Sequence, residues 1–415
     1  MNDARLRGHR AGETLPVALR WYLGSIAAFL LPGGVHMVLF PALVTLFLAE
    51  SAERVGIAQM AGQIPALLLV LVGGVIGDRF DQRRVLAILH GFAALPPLAL
   101  ALAIGVDRLS YALLLAYAVA WGTCGALAQP TRDALLSRVA GDRVQRTVSI
   151  VMGLQFTMQI FGFAIGSLSG RVGPVPMLVV QALVMAAGAL AVLRIEVPGP
   201  LHAGPRPSPL RSIAEGFAWV RGSREVLPVT LLNLGVGLFF AGTFVVLVPL
   251  TIRDVYGGGP ADIALALFAH TAGTITMIAT LVARGGMVHL GRGLVLSLLA
   301  GSLVLMPLCF GVPEPVFYGL MFAWGLGAGV AMTTSRTIAQ EMAPASHRAR
   351  VMSVVSLAGM GSMPVGSLVI GYATGAFGPS HAAWVPVLGV ALLTALVVAR
   401  TDVWRILAAP VGERV

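Results

Sequence analysis

The sequence predicts an all-α integral membrane protein with twelve transmembrane helices in two pseudo-symmetric six-helix bundles. Of its 415 residues, 57 % are hydrophobic and 11 % are charged, and the mean hydropathy is +0.87, whereas a soluble domain carries roughly 25 % charged residues. The apolar residues form continuous runs of about 20 residues, the length of a helix that crosses a bilayer. The two halves of the chain also repeat one sequence pattern.

Twelve apolar segments, numbered here as spans 1 to 12, are separated by charged or turn-forming residues. Their predicted limits are 22–48, 57–77, 84–104, 110–130, 146–170, 174–193, 226–250, 261–283, 292–311, 315–337, 350–375 and 382–400. In lipid, only helices and closed barrels satisfy their backbone polar groups. The segments do not alternate between apolar and polar residues, so we expect helices and not barrel strands.

The arginines predict how the chain is oriented in the membrane. All 28 basic residues are arginine, which excludes a lysine-dependent phosphate loop and a lysine Schiff base. With twelve spans, 24 of the 28 lie on the side of the termini, and four lie in the opposite loops: Arg54, Arg108, Arg171 and Arg253. The positive-inside rule then predicts a multi-pass protein of the cell (inner) membrane with both termini cytoplasmic. Topology accounts for the basic charge, so we expect no nucleic-acid partner.

A proline-rich segment near the middle divides the chain. We expect an N-terminal six-helix bundle over 1–197, a cytoplasmic linker over 198–225 and a C-terminal six-helix bundle over 226–415. Within the linker, Ser208 and Pro209 predict the start of an amphipathic helix. It lies on the inner membrane surface or, alternatively, is solvated. Its apolar face would hold Leu210, Ile213, Phe217 and Val220.

A shift of about 203 residues superposes the two halves of the sequence. Trp121 then matches Trp324, and the following Gly122 matches Gly325. Two parallel six-helix repeats joined by a long inner loop are typical of secondary transporters that rock one half against the other.

The loop between spans 2 and 3 carries the most specific motif. It has the sequence GVIGDRFDQRR from Gly74 to Arg84, which resembles the loop 2–3 signature of the major facilitator superfamily. Asp81, at a position that is often glycine in this signature, resembles the enterobactin-exporter and macrolide-efflux branch. The resemblance covers the whole chain. It implies a transporter and not an enzyme, with a small-molecule substrate, no cofactor and no metal.

The resemblance also implies a conformational latch at the inner side. Asp78 would face the N-terminus of span 11, whose helix dipole is positive there, and would hold the two halves together. The predicted members of this latch are Gly74, Asp78, Arg79, Arg83, Arg84, Arg132, Arg348 and Arg350. Alternatively, the arginines are ordinary topology charges, although this explains Asp78 poorly because acidic residues contribute little to topology.

Span 5 carries a second, partial match to the superfamily. Gly153, Gly162 and Gly166 follow the spacing of the antiporter pattern G-x8-G-P-x-x-G, but Phe163 stands in place of the proline. Glycines at this spacing favour close packing against another helix, and the missing proline weakens the inference of antiport.

Transport must be secondary, because the sequence holds no nucleotide-binding motif. No Asp, Glu or Arg lies in the middle of a predicted span, so His36 and His270 are the residues that could titrate near neutral pH. Each is a candidate for proton coupling or, alternatively, a cavity-lining histidine without that role. The candidates for the substrate cavity are His36, Gln63, Trp121, Gln155, Gln159, Asn233, Phe240, His270, Thr274 and Trp324.

These residues predict a neutral, aromatic, amide-lined cavity. We therefore expect a monomeric carrier that exports a drug-like or siderophore-like amphipathic molecule by alternating access, with protons as the coupling ion that the family implies. Two alternatives stay open. One is an uptake carrier of the same fold, and the other is a non-transporting receptor or assembly protein on a decayed carrier scaffold.

Overall fold

The computed structural model describes residues 16–141, 144–196, 209–344 and 347–408, and the side chains of residues 70–79, 145 and 209–213 lie outside the described part. Within these ranges the regular structure is entirely helical, with no strand.

Ten helices in the described chain are long and apolar enough to cross a membrane. They cover Val17–Phe47, Gln82–Gly105, Tyr111–Ala140, Arg146–Val172, Pro174–Leu193, Val226–Asp254, Pro260–Ala283, Leu290–Phe310, Glu314–Met342 and Arg348–Ala382. Ala52–Arg79 stands at the position of span 2, and the 17-residue helix Trp384–Arg400 stands at span 12. The all-α membrane fold is confirmed, and a helix occurs at each of the twelve predicted positions.

Span 4 differs most from its predicted limits. It continues to Ala140, beyond the predicted end at residue 130, so Arg132 lies inside the helix. The arginine is 7 % exposed because its guanidinium lies over the Phe29 ring of span 1, 4.2 Å from the ring centroid. This long-range contact allows the helix to continue past a charged residue.

Span 11 and span 7 depart from regular α-helix. Span 11 is interrupted at Gly378, whose backbone is left-handed (φ 77°, ψ 163°). In span 7, Val236–Ala241 and Thr243–Leu247 form wider π-type turns, which often occur at functional sites.

Span 1 packs closely against span 5, and span 7 packs equivalently against span 11. The backbone of Gly162 approaches Gly34, and the backbone of Gly366 approaches Leu238, so closely that a Cβ atom on either glycine would overlap its neighbour. The two contacts are related by a shift of about 204 residues. The halves therefore repeat in structure as well as in sequence.

A second pair of contacts repeats in the same way. Gly122 of span 4 lies against Gly62 of span 2, and the equivalent Gly325 of span 10 lies against the backbone of His270 of span 8. This contact brings His270 beside the tryptophan that precedes Gly325.

The two halves are held together at one end of the molecule. We call this end the arginine-poor face, because its loops hold the four arginines Arg54, Arg108, Arg171 and Arg253. There Gly56 of span 2 packs on Ser367 and Gly371 of span 11, and a Cβ on Gly170 would lie 3.2 Å from Pro260 of span 8. The space between the halves is closed at this face.

The linker helix covers Pro209–Gly222, and its first residue is the predicted Pro209, while the predicted cap Ser208 lies outside the described residues. Val220 is 2 % exposed and packs against Val351 of span 11, whereas Phe217 is 60 % exposed. The predicted apolar face is therefore only partly buried. The side chains of the other two face residues, Leu210 and Ile213, lie outside the described part.

The linker helix packs on the start of span 11. Glu215 forms an ion pair with Arg350, with 2.7 Å between Oε2 and Nη1. Gly216 lies against the Arg350 backbone, where a Cβ would be 2.9 Å from the carbonyl oxygen. The linker is thus attached to the C-terminal half within the described residues.

Candidate functional site

A first aromatic cluster lies in the N-terminal half, where span 1 meets span 4. The His36 ring is stacked on Phe40 and on Trp121, with centroid distances of 5.1 and 4.8 Å and interplanar angles of 14° and 16°. The Tyr117 hydroxyl is 3.1 Å from Nδ1 of His36. Two near-parallel rings and one hydroxyl therefore contact the imidazole of His36.

A chain of hydrogen bonds orients His36. The Tyr117 hydroxyl donates to Oε1 of Gln181 on span 6, and the Gln181 amide donates to the Pro32 carbonyl, both at 3.3 Å. Because Tyr117 gives its one proton to Gln181, its oxygen accepts from His36, and Nδ1 of His36 carries the hydrogen. His36 therefore helps to join spans 1, 4 and 6.

A second aromatic cluster lies in the C-terminal half and borders a cavity of about 400 Å³. The ring centroid of His270 is 4.8 Å from those of Phe244 and Trp324. Trp324 is 5.5 Å from Phe240, with the ring planes 80° apart. Trp324 and Phe240 are 3 % and 8 % exposed, while His270 and Phe244 are half-buried. His270 and Phe244 therefore present most of the accessible ring surface of this cluster.

The hydroxyl groups in the wall of this cavity are already hydrogen-bonded. Thr274 donates to backbone carbonyls at 3.0 and 3.1 Å, and Ser297 donates to a carbonyl of its own helix at 2.8 Å. The Asn233 amide nitrogen donates to the Ser335 hydroxyl at 2.7 Å. Among the described residues, the His270 ring forms no hydrogen bond. Its nitrogens remain available to a bound molecule.

A smaller cavity of about 170 Å³ lies between the two halves. His36 and Gln63 line it from the N-terminal half. The Ser367 hydroxyl of span 11 donates to Gln63 at 3.1 Å, and the Gln59 amide donates to the Val245 carbonyl of span 7 at 3.1 Å. These bonds cross between the halves, so the smaller cavity would change shape if the halves moved.

Seven of the ten predicted cavity residues line these two cavities. They are His36, Gln63, Asn233, Phe240, His270, Thr274 and Trp324. Trp121 stacks on His36 without being part of either lining. The remaining two, on span 5, are not brought to the cavities. Gln155 is exposed, and the Gln159 amide is 3.3 Å from the Met37 sulfur.

The three predicted span 5 glycines have different environments. Gly162 packs on Gly34, and a Cβ on Gly166 would lie 2.9 Å from Val38 Cβ, both on span 1. A Cβ on Gly153 would meet no neighbouring atom within 4 Å. Two of the three glycines therefore bring spans 1 and 5 together.

The described part of the loop 2–3 motif organises the start of span 3. The Asp81 side chain accepts a hydrogen bond from the Arg83 amide at 3.0 Å and caps the helix. Partial burial acts to raise the pKa of Asp81, but the hydrogen bonds from Arg83 outweigh it and hold the pKa below its usual range. Arg83 also donates to the Ile195 carbonyl at 2.7 Å, while Arg84 is 84 % exposed and 4.0 Å from Asp81.

The other predicted latch residues are not gathered at one point among the described contacts. Arg132 donates to Gln129 at 2.6 Å and lies over Phe29, both in its own half. Arg350 pairs with the linker helix, and Arg348 is exposed. The contacts of Gly74 and the side chains of Asp78 and Arg79 lie outside the described part. The latch therefore stays a prediction.

Arg253, at the end of span 7, joins the two halves at the arginine-poor face. Its Nη1 donates to the Glu50 carbonyl at 2.7 Å and to the Thr45 carbonyl at 3.3 Å. Both carbonyls lie at the end of span 1, where the negative end of a helix dipole favours a cation. The guanidinium also forms an ion pair with Asp254. The sequence analysis assigned Arg253 only to an outer loop. Its hydrogen bonds to the end of span 1 were not predicted.

Comparisons with known proteins agree with this architecture. The family model of the Major Facilitator Superfamily matches residues 23–367. The Staphyloferrin A transporter of Staphylococcus aureus is 24 % identical over 350 residues, which are 79 % of this chain and 83 % of that protein.

Solved structures of transporters have the same fold. A variant of the nucleoside transporter NupG superposes with a TM-score of 0.74 at 15 % identity, covering 92 % of this chain and 99 % of that one. A bacterial homologue of the human lysosomal transporter Spinster, in an inward-facing and unoccupied conformation, gives 0.64 at 14 % identity, with 94 % and 95 % covered. An auto-inhibited POT family peptide transporter gives 0.68 at 13 % identity, with 92 % and 96 % covered.

Proposed function

The chain is a membrane transporter that belongs to the Major Facilitator Superfamily, and we propose that it exports a siderophore-like or drug-like amphipathic molecule by alternating access. The observation that carries this proposal is the aromatic cavity in the C-terminal half, together with the described contacts between the halves, which lie at the arginine-poor face and around the smaller cavity. The relative that transports staphyloferrin A supports a siderophore-like substrate.

Alternating access requires two bodies that move against each other. We propose that these bodies are residues 1–197 and 226–415, connected by the linker 198–225. The contacts at the arginine-poor face support a state closed to the outside, because the predicted orientation puts this face outside the cell. The 24 arginines of the opposite face support an inner-membrane location with both termini cytoplasmic. We take the monomer as the working unit.

The cavity walls favour a substrate without a fixed charge. The residues that line the two cavities include histidines but no Asp, Glu, Lys or Arg. A charged group that enters an apolar site without a partner loses hydration that nothing replaces. An amphipathic molecule, in contrast, buries its apolar surface against rings and keeps a few hydrogen bonds.

Proton antiport is the coupling that we propose, with His270 as the better candidate for the titrating group. His36 is stacked on Phe40 and Trp121 and hydrogen-bonded to Tyr117. His270 borders the cavity, and its ring has no hydrogen-bond partner among the described residues.

Accumulation of fluorescent amphipathic dyes and siderophores in cells with and without the protein tests this function. If the protein exports these compounds, cells with the protein should accumulate less of them than cells without it. Collapse of the proton gradient should raise the accumulation to the level of cells without the protein. Trp324→Ala should abolish the difference. Trp384→Ala should keep it, because Trp384 packs edge to face on Phe310 away from the cavity lining.

Two other results would overturn the proposal. Higher accumulation in cells with the protein would indicate an uptake carrier. No change across the panel, with normal membrane insertion, would favour the non-transporting receptor or assembly protein.

A further inference from the structure

The two halves are equivalent in backbone packing but not in what fills the space beside their matched tryptophans. In the N-terminal half, Phe29 stacks beside Trp121 at 6.3 Å, and the Arg132 guanidinium covers the Phe29 ring at 4.2 Å. The glycine contacts that repeat between the halves match span 1 with span 7 and span 4 with span 10, at shifts of about 204 and 203 residues. These shifts give the positions equivalent to Phe29 and Arg132. They are Asn233 and Ser335.

The C-terminal pair is much smaller than its N-terminal counterpart. Asn233 and Ser335 hydrogen-bond to each other at 2.7 Å, in the place where the N-terminal half holds an aromatic ring and a guanidinium. Asn233 and Trp324 line the cavity of about 400 Å³. The exchange of two large side chains for two small ones thus explains why this volume is open in the C-terminal half.

The same comparison explains why the histidines differ. His36 is nearly parallel to Phe40 and Trp121 and forms a hydrogen bond with Tyr117. His270 meets Phe244 and Trp324 at 51° and 70°, with its ring nitrogens unpartnered among the described residues. The His270 imidazole is half-buried and has no hydrogen-bond partner among the described residues, and the hydroxyl groups of the cavity wall already donate to backbone carbonyls. A ligand in the cavity can therefore supply the hydrogen bond that His270 lacks.

We propose that this cavity is a recognition subsite for an uncharged aromatic ring that carries a hydroxyl or carbonyl group. The ring occupies the cavity between Phe244, which is half-buried, and the small exposed edges of Trp324 and Phe240, and its polar group hydrogen-bonds to His270. The subsite rests on the proposed transport function, because it recognises part of the transported molecule. An anionic ring would leave its charge unpaired, and an organic cation would find ring faces but no carboxylate in the lining.

Binding of three probes to the purified full-length protein tests the proposal. The probes are naphthol, the naphthoate ion and naphthyltrimethylammonium, which share one ring system and differ in charge. Naphthol should bind at least about tenfold more tightly than either ion, because burial of an unpaired charge is costly. Tighter binding of the ammonium probe would overturn the proposal in favour of a cation-binding cage.

Three variants test the named residues. His270→Phe retains a ring but removes the nitrogens, and it should weaken naphthol binding by about tenfold. Asn233→Phe introduces the N-terminal side chain and should abolish binding by filling the cavity. Trp384→Ala should leave the Kd within about twofold. Unchanged binding in the first two variants, with unchanged thermal unfolding, would refute the subsite.

The transport assay separates the two proposals. Naphthol binding that follows these expectations, without flux of any dye or siderophore, would overturn the proposed function and leave the subsite supported. If dye or siderophore flux is observed but the Kd for naphthol is unchanged by His270→Phe, the subsite would be overturned and the proposed function would stand.

Discussion

Replacing Arg253 with alanine tests the contact that joins the halves at the arginine-poor face. The guanidinium donates to the Glu50 carbonyl at 2.7 Å and to the Thr45 carbonyl at 3.3 Å. A hydrogen bond from a charged group contributes about 1.5–3 kcal/mol. The side chain is 22 % exposed and the second bond is long, so we take about 1.5–2 kcal/mol for the pair of bonds.

The hydrogen bonds of Arg253 stabilise the state in which the arginine-poor face is closed, and they are lost when that face opens. Their removal should shift the equilibrium toward the open state by roughly 10–30-fold. The shift can be measured with Ser367→Cys. Ser367 of span 11 is fully buried against span 2, so a reagent reaches a cysteine there only when the halves separate. In a background without Cys124 and Cys309, a membrane-impermeant maleimide added to whole cells should label this cysteine about tenfold faster when Arg253 is alanine.

Arg54→Ala is the matched control, because Arg54 lies on the same face but binds within one half. Its guanidinium is 2.8 Å from Glu50 and 4.9 Å from the centroid of the Tyr111 ring. The labelling rate should therefore stay unchanged. Equal rates in the Arg253 variant and the parent, or an equal acceleration by Arg54→Ala, would refute the reasoning.

Three further predictions concern packing, the latch and the start of span 3. Gly162→Leu should prevent stable assembly because a Cβ there overlaps span 1, whereas Gly153→Leu, with no neighbour within 4 Å, should remain monodisperse in size-exclusion chromatography. Asp78→Asn should lose flux while keeping membrane insertion, and unchanged flux would argue against the latch. Asp81→Ala should lower the free energy of unfolding by about 0.5–1 kcal/mol. Since the pKa of Asp81 is lowered in the folded protein, this difference should be complete at neutral pH and vanish as the pH falls below the folded-state pKa. A difference that persists in acid would contradict the capping role.

The helices were predictable because a membrane span depends on local composition and not on tertiary contacts. The end of span 4 was not, because Arg132 is accommodated by Phe29 of span 1. The contact links residues more than a hundred positions apart. A single sequence gives no indication that these two side chains meet.

The cavity lining was predictable only in part, because it depends on tertiary contacts as well as on local residue type. His270 and Trp324 were among the predicted cavity residues, and both line the C-terminal cavity. Gln155 was assigned to the cavity by its polarity, yet it is exposed outside the two linings. Arg253 was missed because its partners in the other half are backbone carbonyls, which leave no complementary side chain in the sequence.

The repeat itself explains how the two halves can share their helix packing and still differ at the cavity beside Trp324. Gly162 and its counterpart Gly366 fix how closely span 5 approaches span 1 and how closely span 11 approaches span 7. Both halves retain a glycine at this position, although Gly34 on the facing helix corresponds to Leu238. The pairs Phe29 with Arg132 and Asn233 with Ser335 are not subject to this constraint, since each has contacts of its own. Arg132 lies over Phe29 and donates to Gln129, and the Asn233 amide donates to Ser335. The side chains that set the cavity can therefore change in one half without changing the helix packing, and a symmetric scaffold can carry an asymmetric site.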